Sequence, residues 1–256
     1  MATYKKRASK DKKGKSQADR IEEQSTTAEV FNTLDETAGK TEAWVAKNQK
    51  YIFIFIGVVA LGVLGYLGYN EYVQKPKEQE AANEVYQANE FFQDAMNGSA
   101  ATKDSLLTLA LKGGEGKYGL LDIIDDYSGT KAANLANYSA GIAYLNLKDY
   151  TNAIEHLSDF SSDDPVYGAV AKGSIGDAFM QLNQPSDALD YYEKAVSHST
   201  NDFTTPKYLL KAGIAALEAK DFAKASTFFT RIKEEFENST EARNIDVYIG
   251  RAENAK

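Results

Sequence analysis

One pattern occurs three times between residues 134 and 239. A glycine is followed three positions later by an aromatic or small residue, nine positions after that by an alanine, and then by a large apolar side chain. The first copy has Gly141, Tyr144, Ala153 and Leu157, the second Gly176, Phe179, Ala188 and Tyr192, and the third Gly213, Ala216, Ala225 and Phe229. Successive glycines stand 35 and 37 residues apart. A repeat of this length predicts stacked supersecondary units and excludes a single closed core. Helical spacing within each copy predicts two helices per unit. The turns fall at Lys148-Asp149, at Asn183 to Ser186 around Pro185, and at Lys220-Asp221. The glycine and alanine positions let two antiparallel helices approach closely, and the aromatic positions fill the space before the next pair. No pair buries its apolar stripe alone, so the units must stack. Asp149, Ser186 and Asp221 are placed to cap the second helices. Pro165 and Pro206 punctuate the repeat boundaries.

This pattern resembles the tetratricopeptide-repeat family, whose period is 34 residues. The resemblance implies an all-α fold, a helical-hairpin solenoid over 134–239, with the extra residues accommodated between repeats. It also implies that the first helix of each hairpin lines a concave binding face. By this register the candidate groove residues are Tyr138, Ile142 and Asn146 in the first unit. They are Asp177, Met180 and Gln181 in the second, and Lys207, Leu210, Ile214 and Glu218 in the third. Members that bind chaperone tails carry a Lys/Asn/Arg clamp for a terminal carboxylate. Tyr138 and Ile142 occupy matching positions and lack that chemistry. A mixed apolar and polar groove suits an extended peptide or a partner helix.

Residues 51–70, from Tyr51 to Asn70, run for 20 positions without a charge. That is the length a helix needs to cross about 30 Å of hydrocarbon. Lys47 and Lys50 flank one end, Glu71, Lys75 and Lys77 the other, and Trp44, Tyr51, Tyr66, Tyr69 and Tyr72 supply interfacial rings. The run is longer than a signal-peptide core, follows a long polar segment and precedes no A-x-A-like site, so an uncleaved anchor is expected. Gly62, Gly65 and Gly68 form a small-residue ridge along which a second membrane helix could approach.

Charge divides the chain at this run. Residues 1–50 hold 11 Lys/Arg against 8 Asp/Glu, while the remainder holds 18 against 29, giving +3 and −11. The positive-inside rule then places the N-terminus in the cytoplasm and the repeats across the membrane. Residues 1–25 are expected to be a disordered basic arm that meets anionic headgroups, since almost no large apolar side chain is present. Residues 26–50 are expected to be a juxtamembrane amphipathic helix, opened by a Thr26–Glu29 capping box and interrupted at Gly39. Residues 71–133 read as a helical leader of degenerate hairpins. Pro76 opens its first helix, which runs to about Met96 with Ala81, Val85, Ala88, Phe92 and Ala95 on one stripe. Residues 240–256 read as a capping helix, from about Thr240, and a tail.

Several chemistries find no support. With no cysteine and two histidines, thiolate metal sites and His-rich metal sites are excluded. The run GGEGKYG at 113–119 fails as a phosphate loop, because Leu111 replaces the first glycine and Tyr118 the Ser or Thr after Lys117. His156 and His198 have no partner set for a catalytic unit and are expected at the surface. Asp125-Asp126 and Asp163-Asp164 lack calcium-loop spacing and read as solvated ends. The expected function is therefore a non-enzymatic, membrane-anchored scaffold without cofactor, nucleic acid or small-molecule substrate.

The whole layout, and the run from Thr130 to Leu157 (TKAANLANYSAGIAYLNLKDYTNAIEHL) in particular, is similar to the YfgM-type ancillary subunits of the bacterial Sec translocon. This resemblance implies a single-pass inner-membrane protein with its repeats in the periplasm. It implies association with SecYEG and with a PpiD-like membrane-anchored chaperone in handling exported proteins. The other reading is a scaffold for another envelope assembly, for secretion, motility or cell-wall synthesis.

Overall fold

A computed structural model describes residues 26–114 and 116–255. The chain divides into two units at Gly68/Tyr69. The expected basic arm at residues 1–25 and the side chains of the Thr26–Glu29 capping box lie outside the described residues. In the first unit a single helix, α1, runs from Thr26 to Tyr69 and passes through Gly39 without interruption. A glycine inside a helix costs only about 1 kcal/mol against alanine, so one such residue need not end it. The apolar stretch in α1 is long enough to cross a membrane and is wholly exposed. Phe53, Phe55, Leu61 and Leu64 are among its exposed side chains, as expected of a helix whose solvent is lipid.

The second unit begins with a π-helical turn, Asn70–Gln74, and continues as α2, Lys75–Asn97. Pro76 sits in the first turn of α2, where its missing N–H is not needed. Ala81, Val85, Ala88 and Ala95 are buried against α3, Ala100–Lys112, while Phe92 of the same stripe is half-buried. The glycine run turns the chain through Gly113 and Gly116, both at positive φ, into the short α4, Leu120–Asp126. The leader then clamps the start of the repeats. Both Glu78 carboxylate oxygens accept from the Lys131 N–H at 3.0 Å. Gln74 and Lys77 donate to the carbonyls of Gly129 and Ser128 at 3.0 and 3.1 Å. A carboxylate at a helix N-terminus answers both the unpaired N–H groups and the positive end of the dipole.

Three hairpins follow: α5 (Lys131–Asn146) with α6 (Tyr150–Asp159), α7 (Tyr167–Gln181) with α8 (Pro185–His198), and α9 (Thr205–Glu218) with α10 (Phe222–Glu235). Each first helix ends in the same way. Lys148, Asn183 and Lys220, seven residues after the repeat glycines, are left-handed at φ 65°, 58° and 63°. The next N–H then reaches back to a carbonyl five residues earlier: Asp149 to Tyr144, Gln184 to Phe179, and Asp221 to Ala216, at 2.8–2.9 Å. These bonds satisfy the carbonyls that a helix end leaves open. The Asp149 and Asp221 side chains cap the following helices by accepting from Asn152 and Lys224 N–H. Ser186 does not act as the third cap. Its helix starts one residue earlier, at Pro185, and Gln184 at the cap position makes no side-chain bond. Proline in the first turn removes a donor, which lowers the need for a cap.

The glycines explain the pairing. A Cβ on Gly141, Gly176 or Gly213 would overlap Leu157, Tyr192 or Phe229, each 16 residues further along. Helix α7 holds two more of these notches: Gly173 receives the Tyr208 ring from α9, and Gly168 receives the His198 imidazole. The trailing helix α11 runs Ile245–Asn254, five residues later than expected from Thr240. Residues 237–244 form turns instead, with Ser239 Oγ accepting from Ala242 N–H. Ser and Asn side chains that bond nearby backbone favour such turns over helix. Buried side chains fall into three clusters, in the leader with α5, at the α6/α7 contact, and from α7 through α11. Neighbour-only packing of this kind is characteristic of repeat arrays.

Candidate partner-binding face

The first helices α5, α7 and α9 each carry candidate groove residues, and the structure treats them unequally. Tyr138 is half-buried, with its ring against Phe160 and Tyr167 at 5.1 and 5.3 Å. Ile142 packs on the α6/α7 cluster, and Met180, Leu210 and Ile214 pack on the last cluster, each half-buried. These side chains therefore serve the core on one side and present surface on the other. The Asn146 amide donates to the Ile142 carbonyl within its own helix at 2.8 Å. Lys207, Gln181 and Glu218 are exposed, and Lys207 lies over the Tyr208 ring. In α1, Gly62, Gly65 and Gly68 have open space where a Cβ would stand.

Asp177 is committed to its neighbours. It accepts from Tyr192 Oη at 2.7 Å and from Lys211 Nζ at 2.5 and 2.6 Å. Lys211 belongs to the next repeat, so this ion pair ties α7 to α9. Both partners are about a third exposed. Burial, followed by the Asp177 charge, pushes the Tyr192 hydroxyl far above its usual range, and burial with the same charge does so for Tyr208. Both phenols stay protonated and remain donors at any ordinary pH.

Two surface residues extend the face beyond the sequence expectation. Leu135 is 52% exposed and precedes Tyr138 and Ile142 by three and seven residues, which places all three on one stripe of α5. Val247 is 71% exposed and stands 37 residues after Leu210, at the same register on α11. The i, i+3, i+7 spacing was the available signal for Leu135, and the repeat offset was the signal for Val247. The two histidines, expected at the surface, are each half-buried. His156 is half-buried, stacked on Tyr144 and bonded to Asn137. His198 is half-buried beside Gly168. Among the described residues no group of His and carboxylate side chains is arranged to hold a metal.

Two family profiles, both described as tetratricopeptide repeat, match residues 169–200 and 207–239. Residues 169–239 therefore hold tetratricopeptide repeats, and the helical hairpins form a tetratricopeptide-like solenoid. The matches cover the second and third hairpins. The first shares the glycine notch and left-handed turn residue with both, and the aspartate cap with the third. No curated protein matches the chain. Tetratricopeptide repeats are protein-binding modules, and the candidate face here is the one carried by α5, α7, α9 and α11. Its apolar side chains are half-exposed, whereas its most buried charge is already paired within the array.

Proposed function

We propose that this chain is a membrane-anchored, non-enzymatic scaffold whose tetratricopeptide domain binds other proteins. The carrying observation is the stripe Leu135, Tyr138 and Ile142, continued by Leu210, Ile214 and Val247. It offers apolar surface in repeat register. Such a surface takes an amphipathic helix or an extended apolar peptide. The lipid-exposed α1 run supports a single-pass anchor. The basic segment before it favours the N-terminus in the cytoplasm and the repeats in the periplasm of a bacterial inner membrane. Within that frame the similarity of layout to YfgM-type subunits favours an ancillary role at the Sec translocon, with SecYEG and a PpiD-like chaperone as partners. A glycine ridge at Gly62, Gly65 and Gly68 would allow close packing with a helix of the channel.

The test is affinity purification of the full-length protein in mild detergent, with mass spectrometry of what accompanies it. Translocon channel subunits and a periplasmic chaperone at near-stoichiometric levels support the assignment. Another envelope complex in their place retains the scaffold and removes the translocon. Protease protection of the repeats in spheroplasts tests topology separately. Substituting Leu210→Glu with Ile214→Glu should abolish the association in either case, and unchanged association would exclude this face.

A further inference from the structure

A second cleft lies between α6, α7 and α8, and it goes beyond the face just described. Its floor is Leu157, Phe160, Ala171 and Ile175, and its rim carries Lys172 and Lys194. At about 100° per residue, Gly168, Ala171, Lys172 and Ile175 occupy the face of α7 opposite to Asp177, Met180 and Gln181. The two surfaces are therefore distinct.

Like Lys207 and Lys220, the rim cations make no salt bridge among the described residues. Lys211, Lys224 and Lys233 each contact a carboxylate. Lys172 and Lys194 have none within ion-pair distance among the described residues. Lys172 Nζ is held by the Gly168 carbonyl at 3.4 Å and by His198 Nδ1 at 3.3 Å. An ammonium only donates, so Nδ1 accepts and the imidazole proton is on Nε2, which donates to the Asp164 carbonyl at 3.0 Å. The Gly168 notch admits this ring, so the glycine, the histidine and the loop together position the ammonium. Lys194 Nζ sits 4.1 Å from the centre of the Tyr191 ring, which also lines the cleft. Asp164, in the adjoining loop, turns its carboxylate onto its own backbone. It accepts from the N–H groups of Tyr167 and Val166, which hold it below the usual carboxylate range. It does not neutralise the rim.

We propose that this cleft docks an acidic polypeptide segment that seats one apolar side chain on the floor and sets flanking carboxylates against Lys172 and Lys194. Charge complementarity selects the partner. The array as a whole is acidic and Asp159, Asp163 and Asp164 adjoin the cleft in sequence, but the only charged side chains in its lining are Lys172 and Lys194, and more distant charges are screened beyond about 8 Å at physiological salt. An apolar floor disfavours a nucleic-acid phosphate backbone, which offers no side chain to fill it.

The experiment is fluorescence anisotropy with the full-length protein in nanodiscs. The probe is a labelled short peptide, blocked at both ends, with one central leucine between glutamates. Saturable binding is expected, weakened about tenfold by Lys172→Gln with Lys194→Gln. Binding should fall about as far when the peptide leucine becomes serine, or its glutamates become lysines. Ile214→Glu, on the opposite face, should leave binding unchanged, so failure of the scaffold reading and failure of this one are separable. Lys194→Gln alone, at an exposed position, should give part of the loss without touching the fold. Equal binding by the double variant, or by the lysine peptide, would overturn the proposal, as would the absence of saturable binding.

Discussion

Gly213 and Gly250 stand 37 residues apart at the same register of two successive helices, yet only one is filled. The notch at Gly213 holds the Phe229 ring, whereas the place of a Cβ on Gly250 is open space. The neighbouring positions agree with that difference. Leu209 and Ala216 of α9 are fully buried, and their counterparts on α11 are Asp246 and Glu253, both exposed. Asp246 is paired with Lys233. Helix α11 therefore packs inward through Ile245, Tyr248 and Ala252, and carries the exposed Asp246 and Glu253 on its other side. The same residue in the same register is thus a packing requirement in one helix and dispensable in the next. What separates them is the ring set against Gly213, not the glycine itself.

The sharpest way to break this comparison is to empty the filled notch. Phe229 is fully buried, and Phe229→Ala should lower stability by about 3–5 kcal/mol. Urea unfolding of the full-length protein in detergent, followed by circular dichroism, measures it. A loss under about 1 kcal/mol would mean that the α9/α10 pairing does not depend on the ring. Filling the notch from the other side is the next test. Gly213→Ala should destabilise by about 1–3 kcal/mol, because its Cβ overlaps the ring and the close helix contact must open. Combining it with Phe229→Leu should recover part of that loss, which a simple helix-propensity effect would not do.

How much of this was legible in advance depends on whether the signal was local. The repeat glycines and their partners recur at fixed spacing, so the hairpins and the aspartate caps at Asp149 and Asp221 could be read directly. Gly173 lies outside the repeat pattern. Its reason is Tyr208, 35 residues away in the next repeat, which no spacing rule within one hairpin reports. The Asp177–Lys211 pair was hidden for the same cause, with Asp177 visible as a groove candidate and its partner not. Tyr138 shows the limit on the candidate face. Register places it correctly on a first helix, but its burial depends on Phe160 and Tyr167, which approach from the end of α6 and the start of α7. The late start of α11 followed from turn bonds around Ser239, against a stretch that reads as helical in composition.

Ion pairing offers a smaller contrast between the same boundaries. Asp177 and Lys211 join the second and third hairpins, whereas the equivalent positions at the step into α11 are the uncharged Ile214 and Tyr248, and Tyr248 meets the Phe229 ring with centroids 5.2 Å apart. A double-mutant cycle with Asp177→Asn and Lys211→Met should give a coupling of about 1 kcal/mol, since both groups are a third exposed and screened. Raising the salt concentration should reduce it. A coupling near zero would mean that the boundary is held by Tyr208 in its notch alone.

The smallest effect has the opposite sign. Gly250→Ala places a methyl group in open space on a helix, so nothing resists it. Alanine restricts the unfolded chain and favours the helical state, by about 0.4–1 kcal/mol. The variant should therefore be slightly more stable than the parent, with hydrogen exchange slowed along α11. The identical substitution at Gly213 loses stability, and that reversal between two glycines in one register is the direct measure of what a neighbouring ring demands. If Gly250→Ala instead destabilised the protein, some surface must cover α11 in solution, and its outer side would be an interface in place of a cap.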